Sequence, residues 1–73
     1  MNIEKQLGMR IRYLRKRRHM SIEDLALECG INRNYLSDLE NGRRNPTIKI
    51  IEKIAKGLGL TLSELFQGIT SFD

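Results

Sequence analysis

Apolar residues recur at intervals of three and four in five separate segments of the chain, and no segment alternates with the period of two that a half-buried strand shows. The pattern predicts an all-α fold of five helices. The first spans Ile3 to Arg18, with Leu7, Ile11 and Leu14 on one face, and ends at His19, a residue type that tolerates the left-handed backbone common at helix ends. The second opens at Ser21, whose hydroxyl can accept from the backbone N–H of Asp24 while the Asp24 carboxylate reaches back, as in a capping box. Leu25, Ala26 and Cys29 form its inward stripe, and Gly30 stops it.

Asn32 is a good N-cap for a third helix, Arg33 to about Glu40, with Leu36 and Leu39 inward and Ile31 packing just ahead of its start. Asn41 and Gly42 break it. The loop from Asn41 to Pro46 is polar and basic, with Pro46 holding Asn45 extended, and Thr47 caps a fourth helix whose inward positions are Ile48, Ile51, Ile54, Ala55 and Leu58. Gly59 suits its end. Gly57, inside that helix, is expected to weaken it by about 1 kcal/mol relative to alanine. Thr61, Leu62, Ser63 and Glu64 form a capping box that opens a short fifth helix with Leu62, Leu65 and Phe66 apolar.

A chain of 73 residues is long enough for one domain, taken as 1–73, and short enough that the core must be compact. The single cysteine, Cys29, excludes an internal disulfide, and no Cys/His cluster has the spacing of a zinc site, so neither metal nor cofactor is expected. Cys29 is expected to be a small buried hydrophobe. His19 is a lone histidine without the partners a catalytic role needs. No signal peptide pattern opens the chain, where Met1 to Gly8 carries Glu4 and Lys5, and no apolar run is long enough to span a bilayer, so a cytoplasmic protein is expected. Net charge is +4, and residues 1–20 hold seven basic side chains (Lys5, Arg10, Arg12, Arg15, Lys16, Arg17 and Arg18) against Glu4 alone. Such a stretch suits phosphate backbones, but a solvated helix face has the same composition.

The join between the second and third helices is more informative, because Ala26, Gly30, Leu36 and Leu39 follow one another at intervals of four, six and three. Two helices that cross steeply through a short turn need a small residue where their backbones meet, a glycine where the chain reverses, and apolar residues on the inner face of the second helix. The outer face of that second helix is left polar, with Arg33, Asn34, Ser37 and Asp38. A helix of this kind can enter a DNA major groove, where arginine pairs bidentately with guanine and asparagine with adenine.

The ordered set Ser21-Ile22-Glu23-Asp24-Leu25-Ala26, Gly30-Ile31, Leu36-Ser37-Asp38-Leu39-Glu40-Asn41-Gly42 and Asn45-Pro46 resembles the lambda-repressor-like, Xre-type helix-turn-helix family. The match runs from about Leu7 to Phe66 and includes Ile11-Arg12-Tyr13-Leu14-Arg15 and Leu58-Gly59-Leu60. Within the family, Arg33-Asn34-Tyr35-Leu36-Ser37 and Arg43-Arg44-Asn45 are similar to the small controller proteins of restriction–modification systems. The resemblance implies a compact five-helix DNA-binding domain whose helix-turn-helix is made by its second and third helices. It implies a homodimeric transcriptional regulator of a pseudo-palindromic double-stranded operator, with RNA polymerase as a further candidate partner and no small-molecule ligand. By resemblance, Arg33 and Asn34 read base edges with Ser37 and Asp38 assisting, and Arg43 and Arg44 meet phosphates, Arg44 within reach of a base. Asn32, Tyr35 and the backbone N–H of Asn41 or Gly42 are further candidates for the DNA backbone. Arg15 is implied to pair inward with Glu40, while Arg10, Arg17 and Arg18 stay solvated or near phosphates. The family usually has glutamine at the first position of the second helix, where it contacts DNA and braces the recognition helix. This chain has Ile22 there, which either touches DNA, for example a thymine methyl, or packs.

Glu23, Asp24 and Glu28 repel phosphate, but acidic residues in the first turn of a helix favour its dipole and can point away from the duplex. An antitoxin-like protein-interaction module that also binds DNA is the alternative reading. An enzyme lacks any nucleophile–base pair, and membrane binding by the first helix would compete with the core for its apolar face. Leu62, Leu65 and Phe66 exceed what one short helix can bury, and Ile69 and Phe72 continue the pattern past Gly68, so a dimer seam is expected there, unless Ile69 and Phe72 belong to a frayed tail.

Overall fold

The computed structural model describes residues 2–70 as α1 (Ile3–Arg17), α2 (Ile22–Cys29), α3 (Arg33–Glu40), α4 (Ile48–Gly57) and α5 (Leu62–Leu65), with no strand among them. Each start is set locally. Ser21, Asn32, Thr47 and Thr61 all stand in extended backbone and accept from N–H groups of the first turn, and Ser21 with Asp24 and Thr61 with Glu64 complete reciprocal capping boxes. Asn2 does the same for α1 by accepting from Lys5 N at 2.8 Å. His19 takes the left-handed conformation after α1 (φ 57°), as Gly30 does after α2 (φ 68°). The reciprocal bonds hold the Asp24 and Glu64 carboxyls below their ordinary range, because the backbone N–H groups of Ser21 and Thr61 donate to the charged form.

One core joins the helices. α1 packs on α3, α2 on both α3 and α4, and α4 on α5. Leu7, Ile11, Leu25, Leu36, Leu39, Ile54 and Leu65 are buried in the shared centre, with Ala26, Cys29, Ala55 and Leu58 completing it. Burying one such leucine contributes about 1.5–3 kcal/mol, so this cluster dominates the stability of the fold.

The α1 and α3 backbones nearly touch. A Cβ at Gly8 would collide with the carbonyl of Leu39 and lie 2.6 Å from that of Glu40, both backbone atoms that cannot swing aside. Beside this crossing, the buried Arg15 guanidinium spans the two helices. Its Nε donates to Glu40 Oε2 at 2.8 Å, Nη2 to Glu40 Oε1 at 3.0 Å, and Nη1 to the Met20 carbonyl at 2.9 Å. The guanidinium therefore satisfies Glu40 bidentately and pins the α1–α2 turn, and hydrogen bonding to Glu40 lifts the Arg15 pKa further. No buried side-chain nitrogen or oxygen among the described residues lacks a partner.

Several expectations are corrected. Ile48 does not face inward but is 78% exposed, because the inward stripe of α4 runs through Ile54 and Ala55 with Ile50 and Ile51 on its margin. Leu65, assigned to a dimer seam, is 0% exposed in its own chain's core and has no surface to offer a partner. Ile69 packs on that core, and the neighbouring Thr70 N–H donates to Gln6 Oε1 at 2.8 Å, so the segment just past Gly68 lies on α1. Phe72 lies outside the described residues. Arg10 is only partly exposed and is engaged within the fold: its Nε and Nη2 donate to the Leu65 and Glu64 carbonyls at 3.1 and 2.9 Å, closing the end of α5. Gly57 is a close-approach residue, since a Cβ there would strike Cys29 Sγ and lie 3.2 Å from Cys29 N.

Gly57→Ala is therefore expected to destabilise the protein by about 1–3 kcal/mol through overpacking, reversing the gain that helix propensity alone implies. The loss should be smaller in a Cys29→Ala background. Urea midpoints of the four proteins check this, and a Gly57→Ala protein more stable than wild type would refute the close approach. Glu40→Ala should cost about 3–5 kcal/mol by stranding the Arg15 charge, with Arg15→Met/Glu40→Leu recovering much of it. An unchanged denaturation midpoint for Glu40→Ala would contradict the role given to the pair.

Candidate nucleic-acid interface

The outer face of α3 is built from its cap outward. Asn32 Oδ1 accepts from the N–H groups of Asn34 and Tyr35 at 2.8 and 3.1 Å, which satisfies the free donors of the first turn and fixes where the helix begins. Leu36 and Leu39 are buried beneath, so Arg33 and Asn34 stand exposed and Ser37 and Asp38 half-exposed. The face thus carries a guanidinium, an amide, a hydroxyl and a carboxylate, groups that match base edges.

Charged partners already hold this face. Arg33 Nε donates to Glu23 Oε2 at 2.8 Å, from the first residue of α3 to the first turn of α2, and Arg33 Nη1 approaches Asn34 Oδ1 at 3.4 Å. The Arg33 hydrogen bond holds the Glu23 carboxyl below its ordinary range. Asp38 takes Arg44 Nη2 at 3.3 Å, with Arg43 Nη1 at 3.9 Å, and the Arg44 guanidinium lies 5.2 Å from the Tyr35 ring centroid. The loop after α3 is thereby folded back along the recognition face. Arg33, Arg43 and Arg44 set three cations on this surface against the two anions Glu23 and Asp38.

The structure separates the remaining candidates. Tyr35 is half-buried at the rim under Arg44, and Ile22 is half-buried against the core, which favours packing for its side chain. The N–H groups of Asn41 and Gly42 do not point outward for a phosphate. Asn41 N donates to the Ser37 and Asp38 carbonyls and Gly42 N to the Leu39 carbonyl, because this is the C-terminal end of α3, where free carbonyls capture nearby donors. The Asn41 side chain also donates to the Ser37 carbonyl, at 2.9 Å. Glu23 was missed as part of the site. The legible signal was its position next to Ile22, in the turn that faces the start of α3 and where Asp24 alone serves the capping box.

Other chemistry is thinly supplied. No group of three His, Cys, Asp or Glu residues among those described could hold a metal ion, and no helix is long and apolar enough to cross a membrane. Burial pushes the Cys29 thiol up to about 11, so at neutral pH it is not the thiolate that a nucleophile or metal ligand requires.

Comparison with known proteins agrees with this geometry. A family model described as helix-turn-helix matches residues 11–65. The control protein C.MunI of Mycoplasma is 42% identical over 69 residues, covering 93% of each chain. The restriction–modification controller protein C.AhdI of Aeromonas hydrophila superposes with a TM-score of 0.84 at 36% identity, over 86% of this chain and 96% of that one. The controller protein C.Esp1396I, seen as a tetramer in complex with its natural 35-base-pair operator, superposes with a TM-score of 0.86 at 33% identity, over 92% of this chain and 88% of that one. A packed contact of α2 with α3, a polar outer face on α3 and matches of this extent lead to one assignment: the chain belongs to the helix-turn-helix family of transcriptional regulators.

Proposed function

We propose that the protein is a sequence-specific double-stranded DNA-binding regulator of the controller type, acting as a homodimer on a pseudo-palindromic operator. The observation that carries this reading is the exposure of Arg33 and Asn34 on a helix whose opposite face, Leu36 and Leu39, is fully seated in the core. A helix so anchored can dock in a major groove without unfolding any part of the domain. Similarity to C.Esp1396I, whose tetramer is known on its operator, supports both the nucleic-acid partner and self-association. In this reading the chain is one DNA-binding domain rather than an enzyme, works in the cytoplasm, and has RNA polymerase as a further partner.

Arg33 and Asn34, with Ser37 between the exposed and buried faces, contact base edges. Arg43 and Arg44 meet phosphates, and Asp38 organises these two arginines as well as bordering the bases. Tyr35 and the Asn32 amide nitrogen lie within the same face and serve the DNA backbone. Ile22 acts at most through an apolar contact.

Two-fold pairing on a pseudo-palindrome requires the recognition helices to sit in successive major grooves about 34 Å apart, a spacing that two copies each measuring 33 × 22 × 22 Å can span. With Leu65 excluded, the expected seam residues that remain among the described residues are Leu62, 42% exposed, and the half-buried Phe66 and Ile69, while Phe72 stays a candidate outside them. Phe66 also borders an open apolar hollow of about 220 Å³ with Ile3, Leu7 and Ile51.

Arg33→Ala should weaken binding to a selected site by about 1–3 kcal/mol with little change on random DNA, whereas Arg43→Ala should weaken both equally and reduce the salt slope by about one. Titrations at several salt concentrations check this. An equal loss on both DNAs for Arg33→Ala would remove it from the base readers. Leu62→Lys should shift the protein towards monomer in sedimentation at micromolar concentration while leaving the melting temperature near that of wild type. A wild-type protein that is monomeric both free and on a palindromic duplex would rule out the homodimer.

A further inference from the structure

We infer that Glu23 is a positioning residue for Arg33: it fixes which edge of the guanidinium faces the duplex and so sets a guanine preference at one position of each half-site. The inference rests on the DNA-binding reading above and deepens it. Arg33 and Glu23 are 55% and 63% exposed, so burial does not force them together, yet they meet at 2.8 Å across ten residues and two helices. The contact with Glu23 engages Nε alone; Nη1 donates one hydrogen to Asn34 Oδ1 at 3.4 Å, and with Arg33 55% exposed each terminal nitrogen keeps an N–H available to a base edge. Two parallel N–H donors at the tip of a braced arginine match the O6 and N7 acceptors of guanine, and adenine offers a donor where guanine has O6.

Glu23 is the residue able to do this. Ile22 has no polar side-chain atom and is half-buried, and Asp24 Oδ2 is committed to Ser21 N at 3.0 Å. The carboxylate also acts against indiscriminate binding. An unbraced arginine is free to swing to any phosphate, and an anion beside the duplex repels the backbone that dominates non-specific affinity. A guanine in register returns two hydrogen bonds to Arg33 without displacing Glu23, whereas a phosphate competes with the carboxylate for the same cation.

The test uses wild type, Glu23→Ala, Glu23→Gln, Arg33→Ala and the Glu23→Ala/Arg33→Ala double variant. Each is used to select sites from a pool of randomised duplexes and is then titrated on the enriched site and on random DNA. Glu23→Ala should lose on the order of tenfold in guanine preference at one position per half-site, bind random DNA more tightly, and melt as wild type does. Glu23→Gln, which keeps an acceptor oxygen for Nε, should retain most of the preference. In the Arg33→Ala background, Glu23→Ala should change base preference no further, because the side chain it positions is gone. If guanine preference survives in Glu23→Ala, or if the substitution alters preference equally with and without Arg33, the inference falls while the DNA reading stands. If wild type enriches no sequence, the DNA reading falls and takes the inference with it.

Discussion

The buried ion pair between Arg15 and Glu40 is the contact on which the orientation of the recognition helix depends. Glu40 is the last residue of α3 and Arg15 lies in the last turn of α1, so the pair fixes the far end of α3 to the longest helix of the domain. A pair removed from water is stabilising only when every donor and acceptor is met. Here the carboxylate receives two N–H groups and the remaining guanidinium nitrogen serves the Met20 carbonyl. The close approach at Gly8 brings the two backbones near enough for the pair to form. Leu36 and Leu39 then seat the middle of α3, and its outer residues have nowhere to point but solvent.

The rest of the fold supports that arrangement by the same means, a close approach accompanied by a specific polar bond. α4 comes against α2 where Gly57 meets Cys29, whose thiol sits 3.9 Å from the Ile54 carbonyl. α5 is held to α1 by the Arg10 guanidinium at its final carbonyls. Two of the arginines in the basic first helix are thus structural, and Arg17, whose Nη1 donates to Tyr13 Oη at 3.1 Å, is engaged on its own helix. The charge of that helix and its C-cap is divided between Arg10 and Arg15, which hold the fold together, and Lys5, Arg12, Lys16, Arg17 and Arg18, which remain exposed. The cations on the outer surface of α3 and its following loop are Arg33, Arg43 and Arg44, each near a carboxylate there.

These pairings give the surface a selective character. Exposed ion pairs contribute little to stability, so the Glu23–Arg33 and Asp38–Arg44 contacts are better understood by what they do to side-chain direction and to the local field. In the positioning role proposed above they bias the directions of these long cations before any duplex arrives, without fixing them.

What the sequence determined by itself was everything that depends on near neighbours in the chain. Caps at Ser21, Asn32, Thr47 and Thr61 and left-handed turns at His19 and Gly30 are interactions within a few residues, and the three-to-four periodicity identifies the buried stripes of α1, α2 and α3. The exposure of Arg33 and Asn34 followed from the same periodicity. What only the tertiary structure decided was which of several eligible faces each element buries and which distant groups meet. Periodicity made Ile48 as eligible as Ile51 to face inward and Leu65 as eligible as Leu62 to face out, and the angle at which α4 and α5 cross their neighbours chose between them. Propensity marked Gly57 as a defect, but the Cys29 side chain across the α2–α4 contact makes its missing Cβ a requirement. Glu23 read as a solvated acid favouring a helix N-terminus, and the packing of α2 on α3 set it 2.8 Å from Arg33. Local free energies act over one turn of chain and can be read in order, whereas a contact between residues far apart in sequence exists only once the crossing angles of the packed helices are fixed.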